Sequence, residues 1–175
     1  ALFGYGSFSS EAVLNSAKAL YYFSFGLPAF ALIKVFSSFF FANHDTKTPF
    51  FISLISVILN ILISVYYFRD LGFIIIPIAT SISSWVNSIL LYIYLSKEGY
   101  FKLSKKLIIQ IIRITISTIT MGILLQNLLS YFDSQLSFEN NYKFLYLFFI
   151  VILSILIYFV ISLITKAFKL SDIKI

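Results

Sequence analysis

Of the 175 residues, 60% are hydrophobic and only 11% charged, well under the share of about 25% that gives a soluble domain its polar shell. This excludes a water-soluble globular enzyme, and 21 Phe and 12 Tyr exclude a disordered chain. With no cysteine there is no disulfide or thiolate metal site, and the net charge of +6 reads as membrane topology rather than as a nucleic-acid surface.

A hydrocarbon core about 30 Å thick is crossed by about 20 apolar helical residues. Five stretches meet that length: residues 11–41, 49–68, 73–95, 105–129 and 142–167. Runs such as Ile74-Ile75-Ile76 do not alternate apolar with polar, so helices are expected rather than barrel strands. The fold class is therefore all-α, a polytopic transmembrane helix bundle in one membrane domain over residues 1–175. Gly26-Leu27-Pro28 interrupts the first span and predicts a kink there. Between the first two spans, Thr48 before Pro49 reads as a helix N-cap and first helical position. Arg69-Asp70-Leu71-Gly72 reads as a tight turn between the second and third spans. Pro77 stands near the start of the third.

Basic residues set the orientation. Lys47, Lys97, Lys102, Lys105, Lys106, Lys166, Lys169 and Lys174 fall on one side, and Lys18, Arg69 and Lys143 on the other. The first set marks the cytoplasmic side, which puts the first residue outside and the last inside. A chain that opens outside, without Met and without a signal-peptide pattern, reads as part of a longer protein with an odd number of helices upstream.

Polar residues inside the spans fall on faces. Ser53, Ser56, Asn60 and Ser64 share one face of the second span. Thr80, Ser84, Asn87 and Ser88 form a stripe on the third, with Ser81 beside it, and Thr115, Thr118, Gly122 and Gln126 form one on the fourth. The fifth offers only Ser154, Tyr158 and Ser162, and reads as mostly lipid-facing. Two readings stand for these faces: close helix packing through small residues, or a hydrated cavity or cation site. Asn60 is the strongest candidate for the second, because a mid-membrane amide seldom faces lipid. Lys34 sits seven residues before the end of the first span, roughly 10 Å deep at 1.5 Å per residue. It either snorkels to the interface or meets an anionic headgroup or a partner carboxylate. Gly26 and Pro28 are hinge candidates, with a fixed bend as the other reading.

Catalytic patterns are missing. His44 is the only histidine and falls in a loop, every acid lies at or beyond a span end, and no glycine-rich phosphate loop or metal-ligand cluster is present. The chain is read as a non-enzyme without a metal site.

Four strings carry a resemblance. They are Leu2-Phe3 with Gly6 and Phe8, the helix Gly26-Leu27-Pro28-Ala29-Phe30-Ala31-Leu32-Ile33-Lys34-Val35, the loop Asp45-Thr46-Lys47-Thr48-Pro49, and Ala79-Thr80-Ser81 followed by Trp85-Val86-Asn87. Over about residues 2–99 the sequence resembles the MurJ/MviN lipid II flippases of the multidrug/oligosaccharidyl-lipid/polysaccharide exporter superfamily. The resemblance implies the last five helices of a 14-helix, two-lobe transporter in the bacterial inner membrane. It implies that the whole protein moves the undecaprenyl-linked peptidoglycan precursor to the outer leaflet by alternating access, driven by membrane potential or a sodium ion. The basic cluster that meets the pyrophosphate in the family lies outside these helices, so this piece is expected to be inactive alone and to need the N-terminal half. Some members bind sodium through an Asn and an Asp four apart plus a Thr on the next helix. Asn60 and Thr80 match, but Ser64 stands at the Asp position, offering an oxygen without the charge that a hard cation prefers. Alternative readings are a related polysaccharide or drug exporter, or a non-transporting membrane partner subunit.

Overall fold

A computed structural model describes residues 10–102, 104–136 and 142–167, and these are helical with no strand among them. The Leu2/Phe3/Gly6/Phe8 string, Glu139 and the tail residues Lys169, Asp172 and Lys174 lie outside the described residues. The helices are α1 (Ser10–Ser24), α2 (Leu27–Ala42), α3 (Lys47–Leu71), α4 (Ile75–Lys97), α5 (Lys105–Tyr131) and α6 (Lys143–Ile164), with a 3₁₀ turn at Gly72–Ile74. Helices α1 to α4 form one compact unit, and α5 with α6 forms another.

By length and composition, four continuous stretches among the described residues are apolar enough to cross a membrane: Glu11–Ala42, Lys47–Lys97, Lys105–Tyr131 and Lys143–Ile164. The second is 51 residues long and holds both α3 and α4, packed against each other. The five spans read from the sequence are thus four stretches, one of them folded back on itself. Gly72 makes the fold-back, with φ at +58° and open space around its missing Cβ. The helix runs up to that glycine, so Arg69 and Asp70 belong to the last turn of α3 rather than to a tight turn.

Proline acts differently at its three positions. Pro28 stands second in α2, after a two-residue break at Phe25–Gly26 that separates α2 from α1. The kink expected in the first span is therefore a true helix interruption. Pro49 and Pro77 each stand third in their helices, α3 and α4. A first-turn residue has no intrahelical bond to lose, so neither kinks its helix. The N-cap expected at Thr48 is corrected: α3 starts at Lys47, and Asp45 does the capping. Its Oδ1 accepts from the backbone N–H of Lys47 and of Thr48, each at 3.0 Å. The Thr48 hydroxyl and N–H, with Lys47 close by, hold the Asp45 carboxyl below its ordinary value.

Three helices end alike. At the end of α2, Asp45 N–H donates to Phe40 O and His44 N–H to Phe41 O, with His44 left-handed at φ +58°. Gly99 plays that part after α4 and Lys166 after α6. This double bond pattern satisfies the last carbonyls of each helix. Beyond the end of α4, Phe101 folds back against Phe36, Phe39 and Tyr92, with ring centroids 5.5–6.3 Å apart. These rings cover a core of Phe36, Phe40, Ile52, Leu91 and Leu95 drawn from α2, α3 and α4.

In the second unit, Ser104 caps α5 by accepting from Leu107 N–H at 3.2 Å. Ser117 on α5 and Ile150, Ser154 and Ser162 on α6 are buried, and the serines among them are small enough to let the backbones approach. Ser117 Oγ and Thr165 Oγ1 meet at 3.1 Å, and Arg113 Nη1 reaches the Lys166 carbonyl at 3.4 Å. The stripe read on the fourth span is not the face α5 buries here: of its four members, Thr115, Thr118, Gly122 and Gln126, none is buried.

Candidate functional site: a polar face between two antiparallel helices

Helices α3 and α4 meet through amides. Asn60 Nδ2 donates to Thr80 Oγ1 at 3.1 Å and to Ser83 Oγ at 3.2 Å. One heptad away on both helices, Asn87 Nδ2 reaches Ser53 Oγ at 3.5 Å. The step is backwards along α3 and forwards along α4, so the pair is antiparallel and the polar residues stack in two layers. The faces expected from spacing are thus brought together, and Ser83, which the sequence reading passed over, joins them. Its signal was its place three residues after Thr80.

Hydroxyls and amides are satisfied differently. Ser56, Thr80, Ser83 and Ser84 each donate to a carbonyl of their own helix, at 2.6–3.1 Å. A serine or threonine in a helix can always do this. An asparagine offers two donors and an acceptor and must look across to another helix. Asn60 spends both donors on α4, and its Oδ1 is approached by Ser64 Oγ at 3.5 Å. Asn87 is 8% exposed, and its Oδ1 has no partner among the described residues. A buried bare acceptor costs free energy unless a donor arrives from elsewhere.

Apart from Ser64, these residues line a groove of about 450 Å³, to which Phe30 and Ile33 of α2 add apolar lining. Among the described residues, no charged side chain lines it. Asn60, Thr80 and Asn87 therefore share one site. Ser64 touches Asn60 but does not line the groove, and Lys34 is exposed on α2 outside it. Gly26 and Pro28 lie at the α1–α2 break instead. As a cation site, Asn60, Ser64 and Thr80 supply three neutral oxygens, and Asn60 turns its NH₂ rather than its oxygen toward Thr80. Hard cations such as calcium and magnesium collect about six or more oxygens, and these three residues supply three. Among the described residues no cluster of His, Cys, Asp or Glu could hold a metal.

The sequence matches the family described as lipid II flippase MurJ over residues 1–152. The chain belongs to that family. Relatives named probable lipid II flippase MurJ include one from Rickettsia prowazekii, 42% identical over 93 residues, covering 53% of this chain and 18% of the relative. One from Buchnera aphidicola of Acyrthosiphon pisum is 36% identical over 127 residues, covering 71% of this chain and 24% of the relative. One from Rhizobium meliloti is 36% identical over 121 residues, covering 69% and 23%. The aligned part of this chain thus spans about a fifth to a quarter of the length of the relatives it matches. The family is one of membrane transport, in keeping with several apolar helices of spanning length.

Proposed function

We propose that this chain forms the C-terminal part of a lipid II flippase, a transporter rather than an enzyme, in the bacterial inner membrane. The whole protein would carry the undecaprenyl-linked peptidoglycan precursor from the inner to the outer leaflet by alternating access, in the service of cell-wall biogenesis. The family match over residues 1–152 carries this reading. A polar face buried between otherwise apolar helices supports it, because transporters hold their substrate and ion contacts near the membrane midplane. In this reading Asn60 and Asn87 hydrogen-bond the cargo or the water around it, and Lys34 meets an anionic headgroup. The α1–α2 break at Gly26 and Pro28 is the hinge. The lysine distribution supports a first residue outside and a last residue in the cytoplasm. The driving force is the membrane potential or a sodium gradient. With only neutral oxygens from Asn60, Ser64 and Thr80, any coupling cation draws its carboxylate from other helices of the transporter.

The test is complementation of a flippase-depleted strain. A chimera in which this chain replaces the matching helices of a full-length relative restores growth, whereas the chain alone does not. A chimera that inserts at normal level yet fails to move a lipid-linked precursor refutes the transport reading. Growth on the chain alone refutes the dependence on further helices.

A further inference from the structure

The α1–α2 break leaves backbone carbonyls without helical donors. Gly26 N–H turns to Phe23 O, three residues back, at 3.0 Å, so Tyr22 O loses its usual donor. A bare carbonyl among apolar helices is costly. Two carbonyls at the break are instead taken by α4. Ser81 Oγ donates to Tyr22 O at 2.7 Å, and Trp85 Nε1 donates to Phe25 O at 3.0 Å. Ser81 and Trp85 are four residues apart, so one face of α4 presents both donors a single turn apart. Thr80 and Ser84, their neighbours, bond carbonyls of α4 itself. Ser81 gives its one hydrogen to another helix. The approach is close: a Cβ on Gly26 would lie 3.0 Å from Ser81 Oγ and 3.2 Å from Ser81 Cα.

We propose that Ser81 and Trp85 form a two-point latch that sets the angle between α1 and α2, and that its release permits bending at the break. This rests on the hinge reading of Gly26 and Pro28. The acceptors are backbone carbonyls, so the latch is written only in its two donors and in the glycine that lets them approach. Bending α1 away from α4 breaks both bonds together.

The chain has no cysteine of its own, so spin labels at Leu14→Cys on α1 and Val35→Cys on α2, both exposed, report the distance across the break in lipid nanodiscs. Ser81→Ala and Trp85→Phe each raise the unlatched population about threefold, the factor of one interhelical bond in a membrane, and the double variant multiplies the two. Ser84→Ala, which deletes a hydroxyl bonded within α4, leaves the distribution unchanged. A double variant with the native distribution overturns the latch, as does equal broadening by Ser84→Ala and Ser81→Ala. Trp85→Phe keeps an aromatic ring and decides the matter by itself if Ser81→Ala does not fold. Pro28→Ala separates the two readings. If transport by the chimera survives it while the latch variants still shift the distance, the hinge fails and the control of the angle stands.

Discussion

Two helix pairs of this protein use the same small polar residues to different ends. In the α5–α6 pair, Ser117, Ser154 and Ser162 are buried and bond chiefly to carbonyls of their own helices, with one hydroxyl contact, Ser117 to Thr165, crossing between them. In the α3–α4 pair, Asn60 and Asn87 send donors across the interface and leave an acceptor bare. Both pairs gain close packing from small side chains. Among the described residues, only the second buries an amide with an acceptor left over; the amides of α5, Gln110, Gln126 and Asn127, are exposed. A hydroxyl in a membrane helix is cheap because the preceding turn satisfies it; an amide is not, and its position marks where the bundle meets something else.

The comparison can be broken by substitution, beginning with glycine. Gly26→Ala drives a methyl into Ser81 and costs about 1–3 kcal/mol, as overpacking does. At Gly122 on α5 an added Cβ would meet nothing within 4 Å. Gly122→Ala therefore stabilises, by up to about 1 kcal/mol from helix propensity. Thermal unfolding in detergent reads both, and equal effects at the two glycines would remove the distinction. Next, Asn60→Ala deletes two cross-helix bonds and costs about 1 kcal/mol at roughly 0.6 per bond, with loss of transport by the chimera. Ser154→Ala, which deletes a bond to Ile150 O within α6 and none across the interface, costs less than Asn60→Ala. The smallest effect concerns pH. The Asp45 carboxyl titrates below its ordinary value of 3.8 because Thr48 and Lys47 favour the charged form. Its contribution is complete above that value and is lost as pH falls through the depressed one. Amide exchange at Lys47 and Thr48 accelerates in that acid range, and Asp45→Ala shows the fast exchange at every pH.

Much of this was legible in the sequence, and the remainder has physical reasons for being hidden. Apolar length and spacing are local properties, so the helices and the polar faces of Asn60 and Asn87 could be read directly. The pairing of Asn60 with Thr80 could not be reached from spacing, because it depends on how α4 folds back after Gly72. Ser81 was legible beside a polar stripe and Trp85 only as part of a motif. Their acceptors are backbone carbonyls about 60 residues away, which no side-chain pattern encodes. The cap at Thr48 misled because Pro49 suggested a first helical position, whereas the carboxylate of Asp45 reaches two N–H groups and starts the helix earlier. The end of the first span was read within a residue or so, but not its geometry: His44 ends α2 in a left-handed conformation that usually selects glycine.

The central claim is that the α3–α4 face meets water or cargo while the buried hydroxyls of α5 and α6 meet only protein. Single cysteines at Ser53, Thr80, Ser117 and Ser154, placed in the cysteine-free chain within the chimera and treated with a membrane-impermeant maleimide, test it directly. Labelling at Ser53→Cys and Thr80→Cys, slowed by the lipid-linked precursor, with none at Ser117→Cys and Ser154→Cys, is the predicted result. Silence at positions 53 and 80, or equal labelling at all four, contradicts it.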